Sequence, residues 1–110
     1  MKGRELRAEP RIAVRERGSL NSGEAWFPCM VQDMSDSGFL ILCSKDFSVG
    51  QVREFRCELF PEKTLNCAIE VRHISPSGMG TKITEIDKRG ADLIQLYLQE
   101  QYSLKLNSKI

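Results

Sequence analysis

Apolar and polar residues alternate along most of this chain, which predicts strands separated by short turns. The alternation is clearest in residues 52–60 and 65–74, and shorter versions of it cover residues 11–15 and 79–83. A period of two residues is typical of strands that bury one face. The same alternation puts His73 on the inward side of its strand, so we expect this histidine to be partly buried.

Two apolar runs complete the set of strands. Residues 25–34 contain Pro28, which has no N–H for a strand ladder, so this strand is predicted to lie at an edge or a bulge. Residues 39–43 are apolar without interruption, which predicts a strand buried on both faces. Six strands with short turns and no helix between them predict an antiparallel barrel or a sandwich.

A helix is predicted after the last strand. Asp87 suits its first turn, because a carboxylate accepts hydrogen bonds from the unpaired N–H groups there. The apolar residues of segment 89–102 recur at helical spacing: Ala91, Leu93, Ile94, Leu96, Tyr97 and Leu98. We expect this stripe to pack on the strands, with self-association into a homo-oligomer as the alternative use.

The predicted elements divide the chain into three parts. Residues 1–10 show no apolar periodicity and are predicted to form a flexible basic leader. Residues 11–102 form the single domain, and residues 103–110 are predicted to be a frayed tail. No internal repeat is evident between these segments.

Composition limits the functional classes. With 110 residues, 28% charged and 41% hydrophobic, the chain is predicted to be one soluble globular domain. No apolar run approaches the ~20 residues of a membrane span, and the charged start is unlike a signal peptide, so a cytoplasmic location is expected. Four widely spaced cysteines and one histidine favour reduced thiols over a disulfide framework or a metal site.

Basic residues are concentrated at the start of a chain whose net charge is only +1. Arg4, Arg7, Arg11 and Arg15 all lie in this region. The last three are spaced four residues apart, and residues at this spacing project to the same side of an extended chain. The guanidinium is a planar fork of donors that suits phosphate oxygens and the guanine edge, and its face stacks on a base. A solvated basic leader is the plainer interpretation.

A polar turn with the sequence D-M-S-D-S-G occupies residues 33–38, between two predicted strands. Small polar side chains favour turns because they bond to nearby backbone groups. They also offer a ligand the carboxylate of Asp33, the hydroxyl of Ser35 and, at Gly38, a backbone open to close approach. Together with two arginines, these groups match a ligand that contains both guanine and phosphate.

The first two strands are predicted to form a hairpin that folds near residues 20–21. In that register Arg7 lies opposite Met34 and Arg11 lies opposite Met30. The hairpin would therefore carry the basic residues toward the polar turn.

At this point two motifs resemble those of a known family. The segment from Arg7 to Arg11 resembles the R-x-x-x-R motif of PilZ domains, and residues 33–38 resemble their D-x-S-x-x-G turn. The spacing of the two motifs and the later order of strand and helix also agree with that family. The segment from Arg11 to Arg15 fits the first motif as well; we prefer the earlier pair because an Ile-Ala-Val run follows Arg11.

The resemblance implies an all-β fold with a C-terminal helix: a six-stranded antiparallel β-barrel of the split, PilZ-like kind. It also implies a bacterial, cytoplasmic, non-catalytic receptor for the second messenger cyclic di-GMP, with no other cofactor and no metal. The residues that match the motifs are the expected ligand-binding set: Arg7, Arg11, Asp33, Ser35 and Gly38, with Arg4 and Arg15 as additional candidates. By position, the arginines would hold guanine faces and phosphates, the aspartate would bond a guanine edge, and the serine and glycine would shape the turn.

The expected signal relay is ordering of the leader over the bound ligand, which changes the surface offered to a partner protein. An alternative is a PilZ-like protein-interaction module with weak or no nucleotide binding. Nucleic acid is disfavoured as a partner by the near-neutral charge and the few aromatic residues. An enzyme is disfavoured because the sequence shows no nucleophile–base pair and no phosphate-binding glycine loop.

Overall fold

The computed structural model describes residues 10–107, so Arg4 and Arg7 of the expected ligand-binding set lie outside the described residues. Six antiparallel strands close into a barrel and one helix follows them. In chain order the elements are β1 (Ile12–Asn21), β2 (Trp26–Met34), β3 (Gly38–Cys43), β4 (Val52–Phe60), β5 (Lys63–Ser75), β6 (Gly78–Glu85) and α1 (Lys88–Asn107). The predicted six-stranded antiparallel barrel with a C-terminal helix is confirmed.

Two three-stranded meanders make up the barrel. The strand order is β1-β2-β3-β6-β5-β4, and pairing of β4 with β1 closes the sheet. Short hairpins connect the strands within each meander, whereas the β3–β6 and β1–β4 pairs join one meander to the other. Closure pairs every strand on both sides, which is how small all-β domains avoid exposed backbone edges.

The inward members of the alternating strands fill the barrel. The following side chains are at most 1% exposed: Leu20, Val31, Phe39, Phe55, Leu65, Ile69 and Val71. The rings of Phe39 and Phe55 have centroids 4.9 Å apart, so an aromatic contact joins the two meanders at the centre of the core.

The β1–β2 hairpin pairs in a different register from the predicted one. Arg17, and not Arg11, lies opposite Met30, and Ile12 lies opposite Met34. The predicted register is therefore wrong, and the true one places Arg11 beside the end of β2.

Turn chemistry explains the shift in register. The Asn21 side chain accepts a hydrogen bond from the N–H of Gly23 at 2.7 Å. Gly23 has a φ of 101°, which glycine adopts at little steric cost. The turn therefore falls at residues 22–25, and the fully buried Leu20 extends β1 through the position predicted to fold.

Strand β3 is buried on only one face, contrary to the prediction. Phe39 and Ile41 point into the core, whereas Leu42 is 46% exposed. The helix packs mainly on β1, β4 and β5, on another side of the barrel. An uninterrupted apolar run thus forms a strand with one exposed face.

Helix α1 begins as predicted and ends later than predicted. Asp87 Oδ1 accepts a hydrogen bond from the N–H of Gly90 at 2.7 Å, which caps the first turn. The helix continues to Asn107, so residues 103–107 are helical and not a frayed tail. Within residues 10–107, no helix combines the length and the apolar character needed to cross a membrane.

The helix is attached to the barrel through one face. Leu93, Ile94, Tyr97 and Leu98 are buried, whereas Leu96 from the predicted stripe is 56% exposed. Ala91, also predicted in that stripe, is exposed as well.

A hydrogen bond adds to this contact between α1 and β1. The Tyr97 hydroxyl donates to the Glu16 carboxylate. Burial, and then this bond, raises the pKa of Tyr97 well above its usual range. Its hydroxyl therefore stays protonated, and the bond is kept, at any pH near neutral.

The four cysteines are free thiols, as predicted. Burial raises the pKa of Cys29, Cys57 and Cys67 to about 12. Because the thiolate is the reactive species, these three side chains behave as small apolar residues near neutral pH.

Candidate functional site

Arg11 and Asp33 form an ion pair at the end of the β1–β2 hairpin. Arg11 Nε and Nη2 both donate to Asp33 Oδ1, at 2.9 and 2.7 Å. Arg11 Nη1 donates to Ser35 Oγ at 3.3 Å, so the polar turn holds the guanidinium from two sides. The Arg11 and Asp33 side chains remain 45% and 27% exposed, so both can reach a ligand.

This pairing orients Arg11 and leaves one carboxylate oxygen open. Because both bonds end on Oδ1, Asp33 Oδ2 accepts no hydrogen bond from any of residues 10–107. The edge of the Arg11 fork is occupied, whereas no aromatic ring of residues 10–107 stacks on its flat faces. The arrangement can therefore stack a planar group on Arg11 and accept N–H donors at Asp33.

Ser35 is fully buried and acts within the turn. Its hydroxyl accepts a hydrogen bond from the N–H of Ser37 at 3.3 Å, and its own N–H donates to the carbonyl of Gly38 at 3.0 Å. Together with the bond from Arg11, these contacts make Ser35 a positioning group for the guanidinium.

Gly38 is required by the packing of two strands. It pairs with Lys82 of β6, and a Cβ atom built on Gly38 would lie closer than 3.0 Å to the backbone oxygen of Thr81. From the sequence, Gly38 was expected to offer an open backbone that a ligand could approach. In the structure the close approach is between β3 and β6, and it holds the polar turn against the barrel.

A groove extends from this ion pair across the outer face of the barrel. Its volume is about 370 Å³, and its lining includes Arg11, Asp33, Leu40, His73 and Gly80. Asp33 lies opposite Leu40, Leu40 opposite Gly80, and Gly80 opposite His73, so the floor is one continuous cross-strand row. With neighbouring strands about 4.8 Å apart, this row spans about 14 Å.

A β-bulge puts His73 at the far end of this row. Val71 lies opposite Thr81 but His73 lies opposite Gly80, so Arg72 is an extra residue in β5. The bulge turns His73 to the outer face, where it is exposed; the prediction of a partly buried histidine is therefore wrong. Its ring rests on the Gly80 backbone, because a Cβ there would approach three ring atoms closer than 3.0 Å.

Sequence reasoning missed the second end of the groove. Arg72, His73, Ser75 and Ser77 line it but belong to neither recognised motif. Gly80 could have indicated this end of the groove from the sequence, because a glycine within a strand often marks a close approach by another group.

Arg15 is placed differently from Arg11. It is exposed near an irregularity in β1 between Ala13 and Glu16, and it is not among the residues that line the groove. Among the candidate arginines in the described residues, Arg11 is therefore the one that contacts Asp33. Residues 10–107 contain no group of three or more His, Cys, Asp or Glu side chains that could hold a metal ion.

A closed six-stranded antiparallel barrel with a helix packed on one side defines a class of small barrel domains. Residues 5–100 of the chain match the family described as the PilZ domain. The chain belongs to the PilZ domain family. PilZ domains are a family of cyclic di-GMP receptors and are generally non-catalytic modules.

A solved structure shares this fold. The Bacillus subtilis inhibitor of motility (MotI/DgrA) superposes with a TM-score of 0.73 and 17% sequence identity, covering 93% of this chain and 54% of that chain. The chain thus spans about half the length of that protein. At this identity the likeness is evidence for the fold alone. No curated protein matches the chain.

Proposed function

We propose that this chain is a non-catalytic, cytoplasmic receptor for cyclic di-GMP, and that the groove beginning at Arg11 and Asp33 is its ligand site. The observation that carries the proposal is the oriented Arg11–Asp33 pair, in which residues 10–107 leave Asp33 Oδ2 and a guanidinium face without a partner at one place.

Guanine has the groups that this pair can use. Its N1–H and N2–H₂ donate toward Asp33 Oδ2, while its ring plane stacks on the Arg11 guanidinium. The floor formed by Leu40 and Gly80 presents no charge to the rest of the ligand. Phosphate oxygens find a cation in Arg72, whose exposed side chain lines the same groove.

Isothermal titration of the whole chain tests this proposal. We expect saturable binding of cyclic di-GMP that is at least about tenfold tighter than binding of GMP. An unrelated single-stranded oligonucleotide is the control, since an interaction with nucleic acid weakens steeply with added salt. Absence of cyclic di-GMP binding, or tighter binding of the oligonucleotide, contradicts the proposal.

A protein-interaction module is the second candidate function. Leu42 and Ile74 are 46% and 51% exposed, and both line a smaller cavity beside the groove. Apolar side chains gathered on an outer strand face are typical of a surface that contacts another protein. Absence of nucleotide binding in the titration above would favour this second function over the first.

The relay that we propose uses the segment before Arg11. Pro10 lines a small cavity together with Asp36, Leu98 and Tyr102, so Pro10 lies between the polar turn and α1. Gln95 of α1 donates to Asp36 at 3.2 Å, which links the helix to the same turn. A ligand that stacks on Arg11 would therefore lie close to Pro10 and to the turn that Gln95 of α1 contacts.

Limited trypsin digestion tests the relay. We expect cyclic di-GMP to slow cleavage after Arg4 and Arg7, because the proposed relay orders these residues over the bound ligand. Cleavage after Lys105, at the far end of α1, serves as the internal control. Equal cleavage at Arg4 and Arg7 with and without ligand contradicts the relay and leaves the binding proposal intact.

A further inference from the structure

Two hairpins on the groove side of the barrel have the same construction. Residues 31–41 read V-Q-D-M-S-D-S-G-F-L-I, and residues 71–81 read V-R-H-I-S-P-S-G-M-G-T. Both hairpins contain a bulge directly after the valine, at Gln32 in the first and at Arg72 in the second. No internal repeat is evident from the sequence alone, because the valine, the two serines and the glycine are the only identities.

The turns of the two hairpins use the same hydrogen bond. The N–H of Ser37 donates to Ser35 Oγ at 3.3 Å, and the N–H of Ser77 donates to Ser75 Oγ at 3.3 Å. The paired hydroxyls also lie close together in each turn, at 3.5 Å and 3.0 Å.

The glycine after each turn packs against the other hairpin. A Cβ on Gly38 would meet the backbone oxygen of Thr81 closer than 3.0 Å, and a Cβ on Gly78 would meet that of Ile41 at 2.9 Å. Thr81 occupies the position in the second hairpin that Ile41 occupies in the first. The contacts are therefore reciprocal, as a local two-fold axis requires.

This axis passes through the middle of the groove. Leu40 and Gly80 hold equivalent positions in the two hairpins and lie opposite each other in the β3–β6 pair. Asp33 and His73 are likewise equivalent, and they stand at the two ends of the floor. The groove thus has two related halves, one on each hairpin.

The second half carries its own polar groups. His73 and Arg72 are exposed and line the groove, and Arg72 forms no ion pair with any of residues 10–107. The hydroxyl-bearing Ser75 and Ser77 line it as well, whereas Ser35 of the first half is buried. An unpaired cation, an imidazole and two hydroxyls are donors suited to a phosphate and a base edge.

We infer that the β5–β6 hairpin is a second half-site, in which Arg72 and His73 hold the second guanylate unit of the ligand while Arg11 and Asp33 hold the first. This inference rests on the proposed function. Cyclic di-GMP consists of two identical guanylate units related by a two-fold axis, so a groove with local two-fold symmetry can engage both units in similar ways. A mononucleotide reaches one half at a time.

Titration of single variants with cyclic di-GMP and with GMP tests the half-site. We expect Arg72→Ala and His73→Ala each to weaken cyclic di-GMP binding about tenfold, which is the loss of one or two hydrogen bonds to a charged group. GMP binding should change less than about twofold, because the Asp33 half remains intact. Arg56→Ala, which removes an exposed arginine from β4 outside this groove, is the matched control and should change neither affinity.

Amide spectra provide a second measurement that does not depend on any variant. On saturation with cyclic di-GMP, the signals of Gly38 and Gly78 should both shift, because each glycine closes one of the two turns. A Gly78 signal that stays in place, or wild-type affinity in Arg72→Ala and His73→Ala, would overturn the half-site.

The outcomes also separate this inference from the proposed function. If Arg11→Ala loses binding while Arg72→Ala and His73→Ala retain it, only the half-site fails. If the wild-type chain does not bind cyclic di-GMP at all, the proposed function and the half-site fail together.

Discussion

Replacing Gly38 by alanine should lower the free energy of unfolding by about 3 kcal/mol or more, at the upper end for overpacking a tight contact. The added methyl group would lie closer than 3.0 Å to the backbone oxygen of Thr81. A backbone atom cannot rotate away as a flexible side chain can, so β3 and β6 must separate. Urea unfolding followed by circular dichroism measures the change, with the slope compared between variants.

Gly50→Ala is the control for this experiment. Gly50 has a φ of 95°, and a Cβ added there would have no heavy atom within 4 Å beyond its chain neighbours, so alanine meets only backbone strain. That strain costs about 1–2 kcal/mol. A loss for Gly38→Ala no greater than the loss for Gly50→Ala would show that β3 and β6 can adjust, and that the glycine is not needed for their packing.

Arg11→Ala should weaken cyclic di-GMP binding about ten- to a hundredfold, which corresponds to about 1.5–3 kcal/mol for hydrogen bonds to a charged group. The substitution removes the stacking face and also leaves the Asp33 carboxylate without its cation. An unpaired carboxylate at this place would repel the phosphates of the ligand. Arg11→Lys should recover little, because an ammonium has neither the planar face nor the fork.

Arg15→Ala is the matched control, since it removes the same charge only four residues further along, within β1. Arg15 does not line the groove, so its loss should change affinity less than about twofold. Both variants should remain folded, because partly exposed ion pairs contribute only about 1 kcal/mol or less. Unchanged affinity in Arg11→Ala contradicts the assigned site, and an equal loss in Arg15→Ala favours the alternative arginine pair.

Local patterns in the sequence were sufficient to predict the strands and the helix. Alternation in residues 52–60 and 65–74 reports which side chains meet the core, and it predicted these strands closely. Asp87 marked the start of α1 because a capping side chain acts within one turn of its own position. The motif residues Asp33 and Ser35 were also identifiable, since their types and spacing do not depend on distant parts of the chain.

Those local patterns could not predict which residues pair with each other across neighbouring strands. The hairpin register depended on a buried Leu20 and on an Asn21–Gly23 turn that together moved the fold point by several residues. Local patterns also could not predict on which face of the sheet His73 lies, because that depends on one extra residue at Arg72. A bulge reverses the facing of all later side chains, so an alternation count that ignores it assigns them to the wrong face.

The six strands, the capped helix and the residues of both motifs could thus be predicted from the order of amino acids. The pairing of Arg11 with Asp33 and Ser35, and the second hairpin that completes the groove at His73, became visible only in the folded molecule. Strand propensity and turn chemistry act over a few residues, whereas register and strand order are set by barrel closure. Closure brings β3 beside β6, and this neighbour relation between distant segments creates the groove.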